Sequence, residues 1–491
     1  MSGHYLDWDD RPSPFKIYKN LPSTPLPHNF PYPRQDPLKA IQGENSVDNA
    51  AQVNLENLSE ILFFSAGITR KMRFGSETHY MRAASATGAL YPIELYIVSS
   101  GIQGLKSGIF HFNPLSFALI QIRDRDSSLA EATADATASS PVTIVFTSMA
   151  WRNAWKYEAR SYRHWFWDAG VMAANLLATC SSESLKAKLW MGFVDSEIDQ
   201  ILGLEKEGEA TVALATIGHD GKRSESGPPA RTQFDLTTDP ISKSQEKYPI
   251  IWETNSASEL HNRSEVNSWR KPLTSDGVGI HDGPKFPLLP PLRETGSLGD
   301  VILRRGSTRR FAQKSISLQA LSTIIHVSTG PISIDFLSND SSLIEFYFIA
   351  NDVEGLPPGA YHFDPMTKSL EQLKKESRLR YVSGYLCLEQ LLFSDASVVF
   401  FLMTDLRRVL SDLGNRGYRA AQFEAGIRAG KIYLSAYAQG IGASGSTFYD
   451  DAVTEFFSPH AKGMSTMIAV GVGAPAYKAK PGNILPQFNT S

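Results

Sequence analysis

The sequence predicts a protein of interleaved helices and strands, α/β or α+β, built as two similar halves. Three observations carry this. An eleven-residue block, Gly104–Pro114, recurs as Gly355–Pro365 with six identical positions. Short apolar runs rich in β-branched and aromatic residues alternate with longer helical stretches, in the same order twice. The chain has 491 residues, enough for two cores of ordinary domain size.

The repeat extends beyond its clearest block. Upstream, Ile93-Glu94-Leu95-Tyr96 matches Ile344-Glu345-Phe346-Tyr347 at the same offset. Downstream, Ser161-Tyr162-Arg163 followed by Asp168-Ala169-Gly170 matches Gly417-Tyr418-Arg419 followed by Glu424-Ala425-Gly426. A period near 250 residues is too long for a solenoid and reads as a duplicated domain. In each half a short helix (Leu58–Leu62; Leu321–Ile325) leads to a strand (Ile93–Val98; Ile344–Ala350). A hairpin at the Gly-x-x-x-Gly block and a second strand (Val142–Thr147; Val398–Thr404) follow. A long helix (Tyr162–Thr179; Tyr418–Ala438), a last helix and a terminal strand (Ala210–Ile217; Met464–Val472) close the unit. The expected organisation is an arm over 1–55, a half over 56–218, a crossover over 219–297 and a second half over 298–491. Eight prolines in the first fifty residues suit a wrapping arm, and Ser, Pro, Gly and charge suit an extended crossover.

Composition excludes several function classes. Lys and Arg (48) nearly cancel Asp and Glu (51), so no basic field gathers nucleic acid. Two cysteines, Cys180 and Cys387, preclude a disulfide scaffold and a four-cysteine metal site, and fit a reducing, cytoplasmic setting. The start lacks the basic flank and apolar run of a signal peptide, and no apolar run of about 18 residues suggests a membrane span. The 11 histidines show no His-x-x-x-His helix spacing, so no metal is expected; His111 and His362 read as structural partners in the repeated hairpin.

The halves differ where chemistry would sit. The second opens with Arg304-Arg305-Gly306-Ser307-Thr308-Arg309-Arg310, whose guanidinium forks and hydroxyls suit a phosphate dianion, and which would equally make a solvated basic turn. The matching stretch, Lys39–Ser46, offers no such cluster. The first half has Arg82-Ala83-Ala84-Ser85-Ala86-Thr87-Gly88 ahead of Tyr91-Pro92, where small residues let the backbone approach a flat ligand. Its counterpart, Ser333–Leu343, has no Arg, Gly or Tyr-Pro. Lys156-Tyr157 stands before the first long helix, where the second half has Asp412-Leu413. Such a pair can act as base and acid if its surroundings shift the pKa values; an exposed lysine beside a packed tyrosine is the plainer reading.

Taken in order, these segments resemble the nitroreductase superfamily of flavin enzymes, and within it the SagB-type branch of azoline-forming peptide dehydrogenases. The resemblance covers roughly 58–218 and 298–481. It implies an α+β fold with a mostly antiparallel sheet flanked by helices, in two tandem copies that form a pseudo-dimer with FMN at the interface. Carried over, Arg305, Ser307 and Arg309 match the phosphate-gripping segment, with Lys478 or Lys480 a late basic residue near it. Arg82, Ser85, Thr87 and Gly88 match the segment that the other subunit lends to the isoalloxazine. Gly445, Ser446 and Thr447 match the loop facing flavin N5, and Lys156-Tyr157 the pair implicated in azoline dehydrogenation.

The retained parts are complementary, which implies one flavin per chain and one degenerate site. The aromatic-rich stretch Trp151–Trp167 is expected partly as a pocket roof and mostly as packing. Gly440-Ile441-Gly442-Ala443-Ser444-Gly445 spells Gly-x-Gly-x-x-Gly but follows a helix, so no separate Rossmann module is expected. Three functions compete: dehydrogenation of a peptide or peptide-like azoline, NAD(P)H-driven reduction of nitro compounds or quinones, and a non-catalytic flavin-binding scaffold.

Overall fold

The computed structural model describes residues 4–43, 51–74, 77–124, 128–218, 236–271, 283–293, 295–338 and 341–478. Along the chain run β1 (Ser23–Pro25), the hairpin β2 (Ile68–Phe74) and β3 (Glu77–Arg82), then β4 (Ile93–Ser99), β5 (Gly108–Asn113), β6 (Ala118–Arg123), β7 (Val142–Met149), β8 (Ala187–Trp190) and β9 (Glu209–Ile217). Then come β10 (Lys285–Pro287), β11 (Ile316–Ser317), β12 (Glu345–Ala350), β13 (Val353–Glu354), β14 (Gly359–Asp364), β15 (Ser369–Lys374), β16 (Val398–Thr404), β17 (Gly442–Ser446) and β18 (Ser465–Gly473).

Two seven-stranded antiparallel sheets result, with orders β1-β6-β5-β4-β7-β9-β8 and β10-β15-β14-β12-β16-β18-β17. Position for position these are the same sheet, so the duplication read from the repeat is a duplication of topology. The central strands β7, β9 and β16 are buried along nearly their whole length because both faces are covered, and β16 is apolar but for Thr404. Each sheet gains a three-residue edge strand from outside its half: β1 from the N-terminal arm, β10 from the crossover.

The repeated block has a structural cause. His111 on β5 meets Glu94 on β4 at 2.8 Å, and His362 on β14 meets Glu345 on β12 at 2.9 Å. The short helices are longer than expected, Leu55–Ala66 and Leu318–Thr329. Asn54 and Ser317 cap them by accepting from the amides of Asn57 and Ala320.

The two long helices, Tyr162–Ser182 and Arg416–Ala438, are buried along most of their length and cross at the molecular centre. Glycine sets how closely they pass. A Cβ at Gly170 would stand 2.6 Å from the Phe423 carbonyl oxygen, and one at Gly426 2.7 Å from that of Trp167. This is why both halves carry glycine there.

The crossover departs from the extended segment expected. Among its described residues it folds helices Pro249–Ser256 and Arg263–Trp269. Pro249 starts the first, where its missing N–H costs nothing, and Asn262 caps the second through the Glu265 amide. A composition rich in Ser, Pro and Asn suits helix caps as well as loops, which hid both helices. Among the described residues no helix is long and apolar enough to cross a membrane.

Candidate functional site

A cleft of about 300 Å³ lies between the halves and is lined by both. Roomier hollows of about 410 and 470 Å³ lie against the arm and the crossover, and none of the expected site residues lines them.

From the first half come Ser85, Thr87 and Gly88, the end of helix Ala150–Tyr157, and Trp167 and Asp168 from the first long helix. Gly88 has φ of 63°, a left-handed conformation natural to glycine, and a Cβ there would stand 2.9 Å from the Tyr157 hydroxyl oxygen. The glycine therefore admits the Tyr157 side chain. The helix carrying Lys156 and Tyr157 stops at Glu158, whose φ is 49°. Tyr157 packs edge-on against buried His164, with centroids 4.6 Å apart. Burial first, then the Asp168 charge, pushes the Tyr157 phenol up to about 12. Lys156, half-buried, is lowered by burial and then by the guanidinium groups of Arg11 and Arg309. The expected roof is divided: Trp167 lines the cleft, while Trp151, Trp155 and Trp165 are core.

From the second half come Ser307, Arg309, Gln390, Tyr433 and the outer end of β17 with Gly445, Ser446 and Thr447. The Gly445 amide donates to the Tyr433 hydroxyl at 2.5 Å, and Gln390 Nε2 donates to Ser446 Oγ at 2.9 Å. Arg309 is exposed, with its own amide held by the Tyr477 hydroxyl at 3.0 Å.

Three expected residues do not line the cleft. Arg305 is buried; its Nε donates to the Ala83 carbonyl at 2.9 Å and its Nη2 to that of Arg82 at 3.2 Å. Those donors hold the first half's small-residue loop against the second half. Arg82 is also buried, its guanidinium donating to the carbonyls of Pro14 and Ile93. Arginine in a basic or small-residue run looks the same in sequence whether it faces a ligand or a carbonyl. Lys478 is exposed outside the cleft, and Lys480 and residues 44–46 lie outside the described residues.

Asp168, Gln390 and Tyr433 were not foreseen. Asp168 is buried and accepts from the Thr87 amide (2.9 Å) and Thr87 Oγ1 (2.8 Å), so it positions the loop beside Tyr157. Its counterpart Glu424 does the same for Leu343 and Ser342, but is also paired with Arg428 at 2.6 Å. Four residues after Asp168 stands Met172. That difference between the copies was the available signal. Burial pushes the Asp168 carboxyl up to about 7, against the pull of its Thr87 and Asn153 hydrogen bonds. A raised carboxyl favours the folded state fully below about pH 4, and this support is lost as pH climbs to about 7. Asp168→Asn should therefore lose less melting temperature than the parent between pH 5 and pH 8; equal losses would contradict the assignment.

The pseudo-symmetric mate of the cleft is filled. Leu413 occupies the place of Tyr157, and its carbonyl accepts from Trp269 Nε1 of the crossover at 3.0 Å. Trp269 packs edge-on against Phe336 at 5.8 Å. By strand register, Met191 occupies the place of Thr447. The amides of Met191 and Gly192 donate to Asp335 at 2.9 and 2.8 Å, and Arg270 bonds the Gly192 carbonyl.

The model of the nitroreductase family matches residues 47–219 and 302–472, one match to each half. The chain belongs to the nitroreductase family. As a whole, this nitroreductase-family chain superposes on the crystal structure of a nitroreductase homologue from Anabaena variabilis with a TM-score of 0.76. The match is 25% identical and covers 97% of this chain and 96% of that one. A nitroreductase homologue of Methanocaldococcus jannaschii is 27% identical over 173 residues, 34% of this chain and 86% of that protein. Microcin B17-processing protein McbC of Escherichia coli is 25% identical over 140 residues, covering 27% of this chain and 52% of McbC. Trifolitoxin-processing protein TfxB of Rhizobium leguminosarum bv. trifolii is 26% identical over 245 residues, covering 44% of this chain and 66% of TfxB. The family is one of oxidoreductases, and the chain is related to proteins named for processing a microcin and trifolitoxin.

Proposed function

We propose that this chain is an FMN-dependent oxidoreductase with one composite flavin site, dehydrogenating a peptide or peptide-like azoline. The observation that carries the reading is the shared cleft. Ser85, Thr87, Gly88, Lys156 and Tyr157 of one half face Ser307, Arg309 and Gly445–Thr447 of the other. The likeness to McbC and TfxB favours a peptide substrate over a nitro compound.

The residues suit the cofactor. Burial first, then the guanidinium groups of Arg11 and Arg309, depress Lys156, and an arginine beside a hydroxyl suits a phosphate dianion. Arg309 and Ser307 would hold the phosphate; the glycine-containing loop Ser85–Gly88 would let a flat ring lie close. Bound FMN supplies a hydride acceptor. The protein's own part is proton handling and positioning. Lys156, depressed, is suited to take a carbon-bound proton at Nζ; Tyr157, raised, stays protonated and donates a hydrogen bond. Asp168 fixes Thr87, and Arg305 fixes the backbone two residues before Ser85.

Reconstitution with FMN tests this. The expected result is one flavin per chain, because Trp269 and Arg270 fill the mate, and at least tenfold weaker binding in Arg309→Ala. Two flavins per chain, or none, would sink the reading.

A further inference from the structure

The second half holds a group of residues that the flavin reading does not use. His362 on β14 and Glu371 on β15 are cross-strand partners, both buried. His460, from the turn ahead of β18, closes over them, its ring centroid 4.6 Å from that of His362. One donor atom from each of the three lies within 4.8 Å of the others.

The outer partners of both imidazoles are in place. His362 Nε2 is engaged by Glu345 at 2.9 Å, and His460 Nδ1 by the Tyr347 hydroxyl at 2.9 Å. Each ring therefore has one nitrogen oriented by a neighbour. Metal-binding histidines are held in this manner, the outer hydrogen bond fixing tautomer and ring plane. The first half supplies the contrast. His111 and Glu94 repeat the His362–Glu345 pair, and Tyr96 repeats Tyr347. But the strand partner of His111 is Ile120, where that of His362 is Glu371. Glu94 is additionally tied to Arg152 and lies near Arg82, whose positive charges would oppose a cation. Packing of the hairpin accounts for the histidine–glutamate pair in both copies. The second copy adds a buried carboxylate, Glu371, whose Oε1 also accepts from the Gly283 amide at 3.2 Å, and a second imidazole, His460.

We propose that His362, Glu371 and His460 bind a divalent metal, Zn²⁺ by the chemistry of the donors, with solvent in the fourth position. Two imidazoles and a carboxylate are a zinc donor set, with bonds of about 2.0–2.2 Å. His460 is the less buried of the three, so rotation of its side chain supplies both the closing movement and the path of entry. The ion would tie the β14–β15 hairpin to the turn that leads into β18. No electron moves; the metal displaces protons from the cluster. The site is independent of the flavin reading.

The test uses the full chain, freed of any affinity tag and treated with chelator, then titrated with ZnCl₂ against a chromophoric chelator. One Zn²⁺ per chain at sub-micromolar affinity is expected. His460→Ala and Glu371→Gln should each weaken it about a hundredfold or more, and Tyr347→Phe about tenfold, since an outer partner alone is worth about 10–100-fold. X-ray absorption of the unmutated protein should show only nitrogen and oxygen ligands, two of them imidazole. No stoichiometric zinc, zinc retained in both ligand variants, or a shell with fewer than two imidazoles would each overturn the proposal.

Discussion

Replacing Gly426 with valine is expected to leave this chain unable to fold, and alanine there to lower its melting temperature by several degrees. The added Cβ would meet the Trp167 carbonyl oxygen at 2.7 Å, the Phe166 carbonyl oxygen at 2.9 Å and Trp167 Cα at 2.9 Å. These are backbone atoms of the opposing helix, so no side chain can turn aside. The two helices must part, and they form the centre of the molecule. Overpacking a well-filled core costs roughly 1–3 kcal/mol and occasionally more. Helix propensity returns only about 1 kcal/mol when glycine becomes alanine. Thermal unfolding of Gly426→Ala beside a control, Gly330→Ala, where φ is −60° and an added Cβ meets nothing nearer than 3.5 Å, measures the difference. An unchanged transition would show that the helices pass less closely than described.

The second large effect concerns turnover. Lys156→Ala should lower dehydrogenation of an azoline peptide by about 10²–10⁴-fold, the usual worth of a positioned proton-transfer group, while flavin content stays near that of the parent. Reduction of an artificial acceptor should survive, because it needs no carbon-bound proton removed. The depressed lysine makes a further, signed expectation. Only its neutral form accepts a proton, so kcat/KM should rise with pH through the lowered lysine pKa. Arg11 contributes to that lowering, and its Nη2 donates to the Ala89 carbonyl at 3.2 Å. Arg11→Gln should therefore move the rising limb to higher pH. If both activities of Lys156→Ala match the parent, another group is the base.

The fold was legible wherever a residue's job was local or repeated. Strands such as β7 and β16 announce themselves as runs of apolar and β-branched residues, and the Glu94–His111 and Glu345–His362 pairs explain the best-matched segments of the two halves. Most of the cleft was legible for another reason: the copies differ at those very places, and Lys156-Tyr157 against Asp412-Leu413 is a difference that packing alone does not require. What stayed hidden was direction. Arg305 and Arg309 are near neighbours in one basic run, yet one is buried against carbonyls of the other half and the other faces the cleft. Asp168 was visible only as a repeated acid, because its task depends on Thr87, far away in sequence. The crossover's helices were hidden by a composition shared between caps and loops, and the part of Trp269 in filling the mate needed three dimensions.

That filled mate bears on how such a protein can change. In a symmetric dimer every substitution appears twice, so neither copy of a pocket can be altered without altering the other. Here Leu413, Asp335 and Trp269 stand on one side of the pseudo-axis and Tyr157, Thr87 and Arg309 on the other, each free to vary alone. Covalent linkage also removes dilution as a hazard. The partner surface is always present at a high effective concentration set by the chain itself. A cleft assembled from both halves should therefore hold its occupancy at nanomolar protein, where a dissociable pair would come apart.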